Sequence, residues 1–136
     1  MANSTRFSMA LQMLALIALE RPNAVTSERL AAQVGANPAA ARRLLAMLAR
    51  AGLAEGHLGK GGGATLARAP KKISLLDIYR AVEPGELVTR RAPAEGGAPA
   101  LAAAFDAAVA PAEKAFFKSL GETTLKAFLK DVKAAA

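Results

Sequence analysis

Residues 57–66, HLGKGGGATL, place four glycines and a lysine between two short apolar stretches. Gly59 to Ala64 fit the G-x-G-x-x-A spacing that holds a dinucleotide pyrophosphate against a helix N-terminus. The surroundings do not fit. Such a fingerprint needs a helix to open at its last glycine, whereas Ala64-Thr65-Leu66-Ala67-Arg68 runs on to Pro70 within a few residues. In a Walker A loop the lysine follows the last glycine and precedes Ser or Thr, whereas Lys60 comes before Gly61-Gly62-Gly63. Asp77, at about the distance of a ribose-binding acid, is then a coincidence.

Other reactive groups are few. The chain has no cysteine, which excludes disulfides, thiolate metal sites, cysteine-ligated clusters and thiol nucleophiles. One histidine, His57, is too few for a zinc site or a histidine-based triad. Tyr79 stands beside the apolar stripe of its segment, and Glu83 and Glu86 straddle Pro84-Gly85 without forming a carboxylate pair. Nothing supports general acid–base chemistry. The chain reads as a non-enzyme with no metal and no cofactor.

Arginine and lysine carry the remaining signal. The net charge is +7, and residues 1–73 hold ten basic groups against three acids while residues 74–136 hold eight of each. Excess charge confined to one half is the footprint of a polyanion-binding module joined to a neutral segment with another task. Arg42 and Arg43 lie on a helical segment whose apolar positions, Ala41, Leu44, Leu45 and Leu48, fall on the other side. Arginine is the commonest reader of guanine edges, and a recognition helix reads from its N-terminal residues. Ala39 and Ala40 are small enough to let that helix approach bases closely. At the chain start, Asn3-Ser4-Thr5-Arg6 offers polar groups and free amides, a phosphate site, with Ser4 equally able to act as a plain cap.

The elements that must position these groups are legible from caps and breakers. Periodicity predicts a helix from about Ser4 to Glu20, stopped by Arg21-Pro22-Asn23. Its second apolar stripe, Met9, Met13 and Leu16, calls for cover from something beyond its immediate neighbours. The run Phe7–Leu19 is too short to span a bilayer, which takes about 20 residues. No A-x-A cleavage site follows it, so a cytoplasmic protein without a membrane span is expected. SERLAAQV, capped by Thr26 or Ser27, ends at Gly35. Asn37-Pro38 opens a helix to Ala51, ended by Gly52. Helix, tight turn and longer helix form a helix-turn-helix. Two short strands around the glycine loop then make a wing. Ser74 and Asp77 cap a helix to Glu83. Residues 84–99 lack periodicity and read as a flexible linker. Spacing resumes at Leu101, Phe105, Ala108, Ala112 and Phe116, with Pro111 either starting a new segment or kinking the helix. Gly121 breaks it, and Thr123 or Thr124 caps a last helix.

The order NSTRFSMALQMLALIAL, TSERLAAQVGANPAAARRLLAMLARAGL and GKGGGATLARAPKKISLLDIYRAVE resembles the Rrf-type bacterial transcription regulators. This is the winged-helix family of the iron–sulfur cluster regulator and the nitric-oxide-sensing repressor. The resemblance is dense over residues 3–83 and continues through LAAAFDAAV and TTLKAFL, which match a dimerisation helix and a closing helix. It implies a mainly α fold: a winged helix-turn-helix domain over 1–83, a linker over 84–99, and dimerisation helices over 100–136. It further implies a homodimeric repressor on a near-palindromic operator in double-stranded DNA. Asn37, Ala39, Ala40, Arg42 and Arg43 would enter the major groove, with Lys60, Gly61 and Gly62 at the wing and Ser4 and Arg6 on the backbone. Met9, Met13, Leu101, Phe105, Ala108 and Phe116 would form the dimer interface, the long helix covering the first helix of its partner. Cluster-sensing members carry three cysteines where this chain has RRAPAEGGAPALAAAF, so cluster binding does not transfer and the chain resembles the cysteine-free branch. Some relatives have an arginine before the wing glycines and an aromatic after them, where Leu58 and Ala64 stand here. A small-molecule effector, if the protein has one, is not identified by the sequence. Two other readings stay open: a winged-helix protein–protein adaptor with only non-specific nucleic-acid affinity, and an enzyme accessory or RNA-binding module.

Overall fold

In a computed structural model that describes residues 4–59, 62–92 and 94–136, the first helix, α1 (Arg6–Leu19), is the hub of the molecule. Ala10, Met13, Leu14 and Ile17 lose all exposure on it, because α2 (Ser27–Val34), α3 (Pro38–Arg50), α4 (Leu75–Val82) and α6 (Leu125–Ala135) all pack around it. Many of these contacts are made by alanine: Ala10, Ala15, Ala31, Ala41, Ala54 and Ala64 are buried among Leu30, Leu48, Leu53, Ile73 and Ile78. Small side chains let backbones approach closely, which is how a chain so poor in aromatics closes a core. No polar side chain is buried among the described residues.

The caps explain where the elements begin. Thr26 Oγ1 accepts from the Arg29 amide at 3.2 Å, and Gly35 ends α2 with a φ of 70°. Asn37 Oδ1 accepts from the Ala40 amide at 2.8 Å, with Pro38 in the first turn of α3. Ser74 and Asp77 form a reciprocal capping box on α4, at 3.0 and 2.9 Å.

Two antiparallel strands, β1 (Ala54–His57) and β2 (Gly63–Leu66), make the wing, pairing Ala54 with Leu66 and His57 with Gly63. Val25 bridges the other edge of β2, its amide and carbonyl bonding Ala64 at 3.0 and 2.8 Å. The glycines are needed here. A Cβ on Gly63, whose φ is 140°, would lie 2.5 Å from the Val25 carbonyl oxygen, and one on Gly62 would lie 2.4 Å from that of His57. The tight approach at these two glycines is to the chain's own backbone.

After a 3-10 turn (Pro70–Lys72) and α4, residues 83–98 contain no helix or strand among those described, and α5 (Pro99–Glu122) then runs unbroken through Pro111. Pro111 thus neither starts a new segment nor ends one, and Gly121 sits in the last turn. Thr124 caps α6, and backbone bonds Leu75→Thr123 and Leu125→Ile73, at 2.9 and 2.8 Å, seat that helix against the start of α4. Leu125 and Leu129 enter the same core as α1, so α6, grouped by sequence with the dimerisation helices, is built into the winged-helix body. Leu16, of the second stripe on α1, lines a groove with Phe128 and Val132 of α6 in the same chain. No helix among the described residues is long and apolar enough to cross a membrane.

Candidate nucleic-acid interface

The stripe Ala41, Leu44 and Leu48 binds α3 to the core, which turns Ala39, Arg42, Arg43 and Arg50 to solvent and leaves Ala40 half-buried. The Asn37 side-chain oxygen is already used as the cap of this helix, leaving its amide nitrogen for other contacts. The two adjacent arginines face different grooves. Arg42 lines one of about 590 Å³ between α2, α3 and the wing, and lies 3.6 Å from Glu28 of α2. Arg43 lines another of about 390 Å³ with Thr5, Arg6, Met47 and Pro84. It has no ion-pair partner among the described residues.

Arg6 therefore shares a groove with Arg43, although 37 residues separate them in sequence. The N-cap of α1, Thr5, makes no side-chain bond to a helix amide; its hydroxyl turns to the Met9 sulfur at 3.4 Å. The Arg6 amide donates to Ser4 Oγ at 3.2 Å, and the remaining first-turn amides, those of Phe7 and Ser8, beside a cationic side chain suit a phosphate. Ser4 and Arg6 are not free, however. The Ser4 hydroxyl donates to Glu83, and Arg6 lies 4.0 Å from the same carboxylate. Glu83, which sequence reasoning placed only at a helix end, thus holds both backbone-contact candidates.

At the wing, Lys60 and Gly61 lie outside the described residues, as does Asn3 at the chain start. Gly62 is half-buried against the hairpin's own backbone. Leu58 is fully exposed at the tip. Only an apolar residue between a polar strand end and a run of glycines would have signalled it. The groups that invite an enzymatic reading sit elsewhere. His57 Nε2 lies 2.8 Å from Thr65 Oγ1 across the wing. Tyr79 stacks edge-on against Phe7 and Phe116, each at 5.4 Å, and burial, then the Glu83 charge, pushes its hydroxyl above the ordinary range.

The proposed dimer residues divide. Leu101 and Phe105 of α5 are 74% and 45% exposed, and Ala108 is exposed beside them. Met13 is completely buried in its own core and has no surface to offer a partner, a correction to the expectation from helical spacing. Met9 is half-buried along the Arg43 groove, and Phe116 is partly used against Tyr79 and Phe117. One further cluster escaped the sequence. Arg90 Nε and Nη2 donate to Asp106 and Glu113 of α5 at 2.6 and 2.8 Å, and Glu86 stands 3.8 Å away. Charge attraction at this distance fastens the linker to the helix that follows it.

A family model described as "Rrf2: Iron-dependent Transcriptional regulator" matches residues 3–131. Over 83 residues the chain is 37% identical to YwnA of Bacillus subtilis, named as an HTH-type transcriptional regulator, covering 61% of this chain and 60% of that one. Among solved structures, IscR of T. potens is similar with a TM-score of 0.77 and 26% identity over 99% of this chain and 90% of that one. CymR of Staphylococcus aureus gives a TM-score of 0.69 and 25% identity, covering 93% and 96%. The residues present do not fit iron. There is no cysteine, and no group of three His, Cys, Asp or Glu side chains among the described residues could hold a metal. Asp106 and Glu113 of α5 are taken up by Arg90.

Proposed function

The chain belongs to the Rrf2 family of transcriptional regulators, DNA-binding proteins rather than enzymes, and we propose that it acts as a homodimeric repressor on a near-palindromic operator in the cytoplasm, without a metal cluster. The observation that carries this reading is Arg43, solvent-exposed in the second turn of α3 and lining one groove with Arg6 and the N-terminal turn of α1. A base-reading side chain and a phosphate-binding helix end then face one side of the molecule. Ala39 and Ala40 allow close approach, Arg42 faces the wing side, and the wing, with Leu58 exposed and Lys60 two residues on in the sequence, reaches the adjacent minor groove. The exposed Leu101, Phe105 and Ala108 of α5 supply the surface for a second copy.

A gel shift of the protein on the promoter nearest its own gene, across salt concentrations, tests the reading. Binding retained in excess competitor DNA at physiological salt supports a regulator. Weak, sequence-blind binding that salt removes would be the signature of a protein–protein adaptor with a basic surface, because the electrostatic term alone behaves that way. Preference for single-stranded or structured RNA would point to an RNA-binding module.

A further inference from the structure

Four lysines converge on a groove away from the arginines of the proposed DNA interface. Lys126, Lys130 and Lys133 recur along α6 at the spacing that places side chains on one face. Lys71, in the 3-10 turn after the wing, reaches the same groove from the facing wall. Between them the floor is apolar, with Pro70 and Leu129. The opening measures about 710 Å³, within the range of small-ligand sites, roughly 300–1,000 Å³.

The charges here are uncompensated. None of the four lysines has a carboxylate within ion-pair distance among the described residues. Asp131, the sole acid on α6, follows Lys130 and so points about 100° around the helix from it. Like charges four residues apart, as at Lys126 and Lys130, destabilise a helix until a counter-charge arrives. A basic rim on an apolar floor matches a ligand with an anionic head and an apolar body. We propose that this groove binds an amphipathic organic anion, a carboxylate or phosphate carried on a short hydrocarbon. The lysines take the head, and Pro70 and Leu129 take the chain. Ala18, which also lines the groove, stands about 18 Å along α1 from Arg6, so the site is separate from the α3 arginines. Pro70 follows closely after β2, which puts the occupant at the root of the wing. Any effect on operator affinity rests on the DNA-binding reading above; occupancy of the groove does not.

Titration of the full chain without DNA, using octyl phosphate and octanoate below their micellar concentrations, tests the proposal by calorimetry and by amide NMR shifts. Expected are binding with shifts at Lys71, Ala127 and Leu129, and far weaker binding of acetate, which lacks the chain, and of octanol, which lacks the head. The double substitution Lys126→Gln/Lys130→Gln is expected to weaken binding about tenfold, the loss of roughly one charge-assisted bond, with a thermal midpoint no lower than that of the unsubstituted chain, since it relieves a like-charge pair. Absence of binding, equal binding by the double variant, or equal affinity for octanol would overturn it. So would stronger shifts at the same amides from phosphatidylglycerol vesicles or from duplex DNA, which would reassign the groove to a membrane surface or to nucleic acid.

Discussion

Arg42 and Arg43 are neighbours in sequence but differ in what each gives up on meeting DNA. Arg42 must leave Glu28, 3.6 Å away, whereas Arg43 has no such partner among the described residues. A bidentate arginine–guanine contact is worth about 1–3 kcal/mol of discrimination. Arg43→Ala is therefore expected to lower operator affinity roughly tenfold or more while leaving the dimer intact, read by fluorescence anisotropy and sedimentation. Arg42→Ala should cost less, and Glu28→Gln should tighten binding by removing a competing acid. Equal losses for the two arginines would mean that the ion pair does not persist in solution. The exposed side of α3 was legible from the spacing of Ala41, Leu44 and Leu48. The Glu28 contact was not, because it joins residues on two helices whose packing no local pattern encodes. Leu58 presents a further case. A fully exposed leucine at a wing tip is of the type that wedges against base steps in a minor groove. Leu58→Ser should weaken binding to the operator more than to a random duplex, compared by competition.

At the level of elements, whatever depends on a cap or a breaker could be read from the sequence, and whatever depends on long-range charge could not. Ser74 and Asp77 form the box that their spacing implied. Ser74→Ala should lower stability by about 1 kcal/mol, seen as a lower thermal midpoint with an unchanged helical spectrum. Pro111 was ambiguous because its local cost, about 3 kcal/mol in a helix interior, says where a break is favoured and not whether packing overrides it. Arg90 lies in a stretch read from composition as a free linker, yet it bonds Asp106 and Glu113, sixteen and twenty-three residues later. The Arg90 guanidinium, through its hydrogen bond, holds the Glu113 carboxyl below its ordinary range. A carboxylate depressed on folding contributes stability that is present above its unfolded value and lost as pH falls through the folded one. Arg90→Ala should thus lower the thermal midpoint at neutral pH, with the gap to wild type closing as pH drops below about 4. A gap independent of pH would mean that Arg90 acts through packing of its stem instead.

For the molecule as a whole, the uneven charge and the unburied helix bear on one another. The basic half holds α1, α2, α3 and the wing; the neutral half holds α5, a helix of 24 residues, about 36 Å long, in which no residue is buried. The C-terminal half of α5 is held by its own chain through Arg90 and Tyr79, whereas Leu101 and Phe105 stay exposed and would gain cover from the proposed second copy. Two basic winged-helix bodies joined across α5 would present their α3 helices to successive major grooves, which for a two-fold dimer means half-sites spaced by whole helical turns, roughly 34 Å each. Electrostatic attraction alone would hold either body on any DNA; in the proposed dimer, pairing would convert two weak contacts into one selective one, since the second body would then bind at a high effective concentration. Phe105→Glu separates these contributions. Burying a charge against an apolar partner face is unfavourable, whereas the same side chain in water on a monomer is harmless. The expected outcome is a folded monomer by sedimentation that keeps salt-sensitive, non-specific affinity but loses operator preference by about two orders of magnitude, the low end of what linkage confers. Arg43→Ala should do the reverse, remaining dimeric while losing base discrimination. If Phe105→Glu stays dimeric, α5 is not the seam, and the apolar groove between Leu16, Leu19 and Phe128 becomes the next surface to alter.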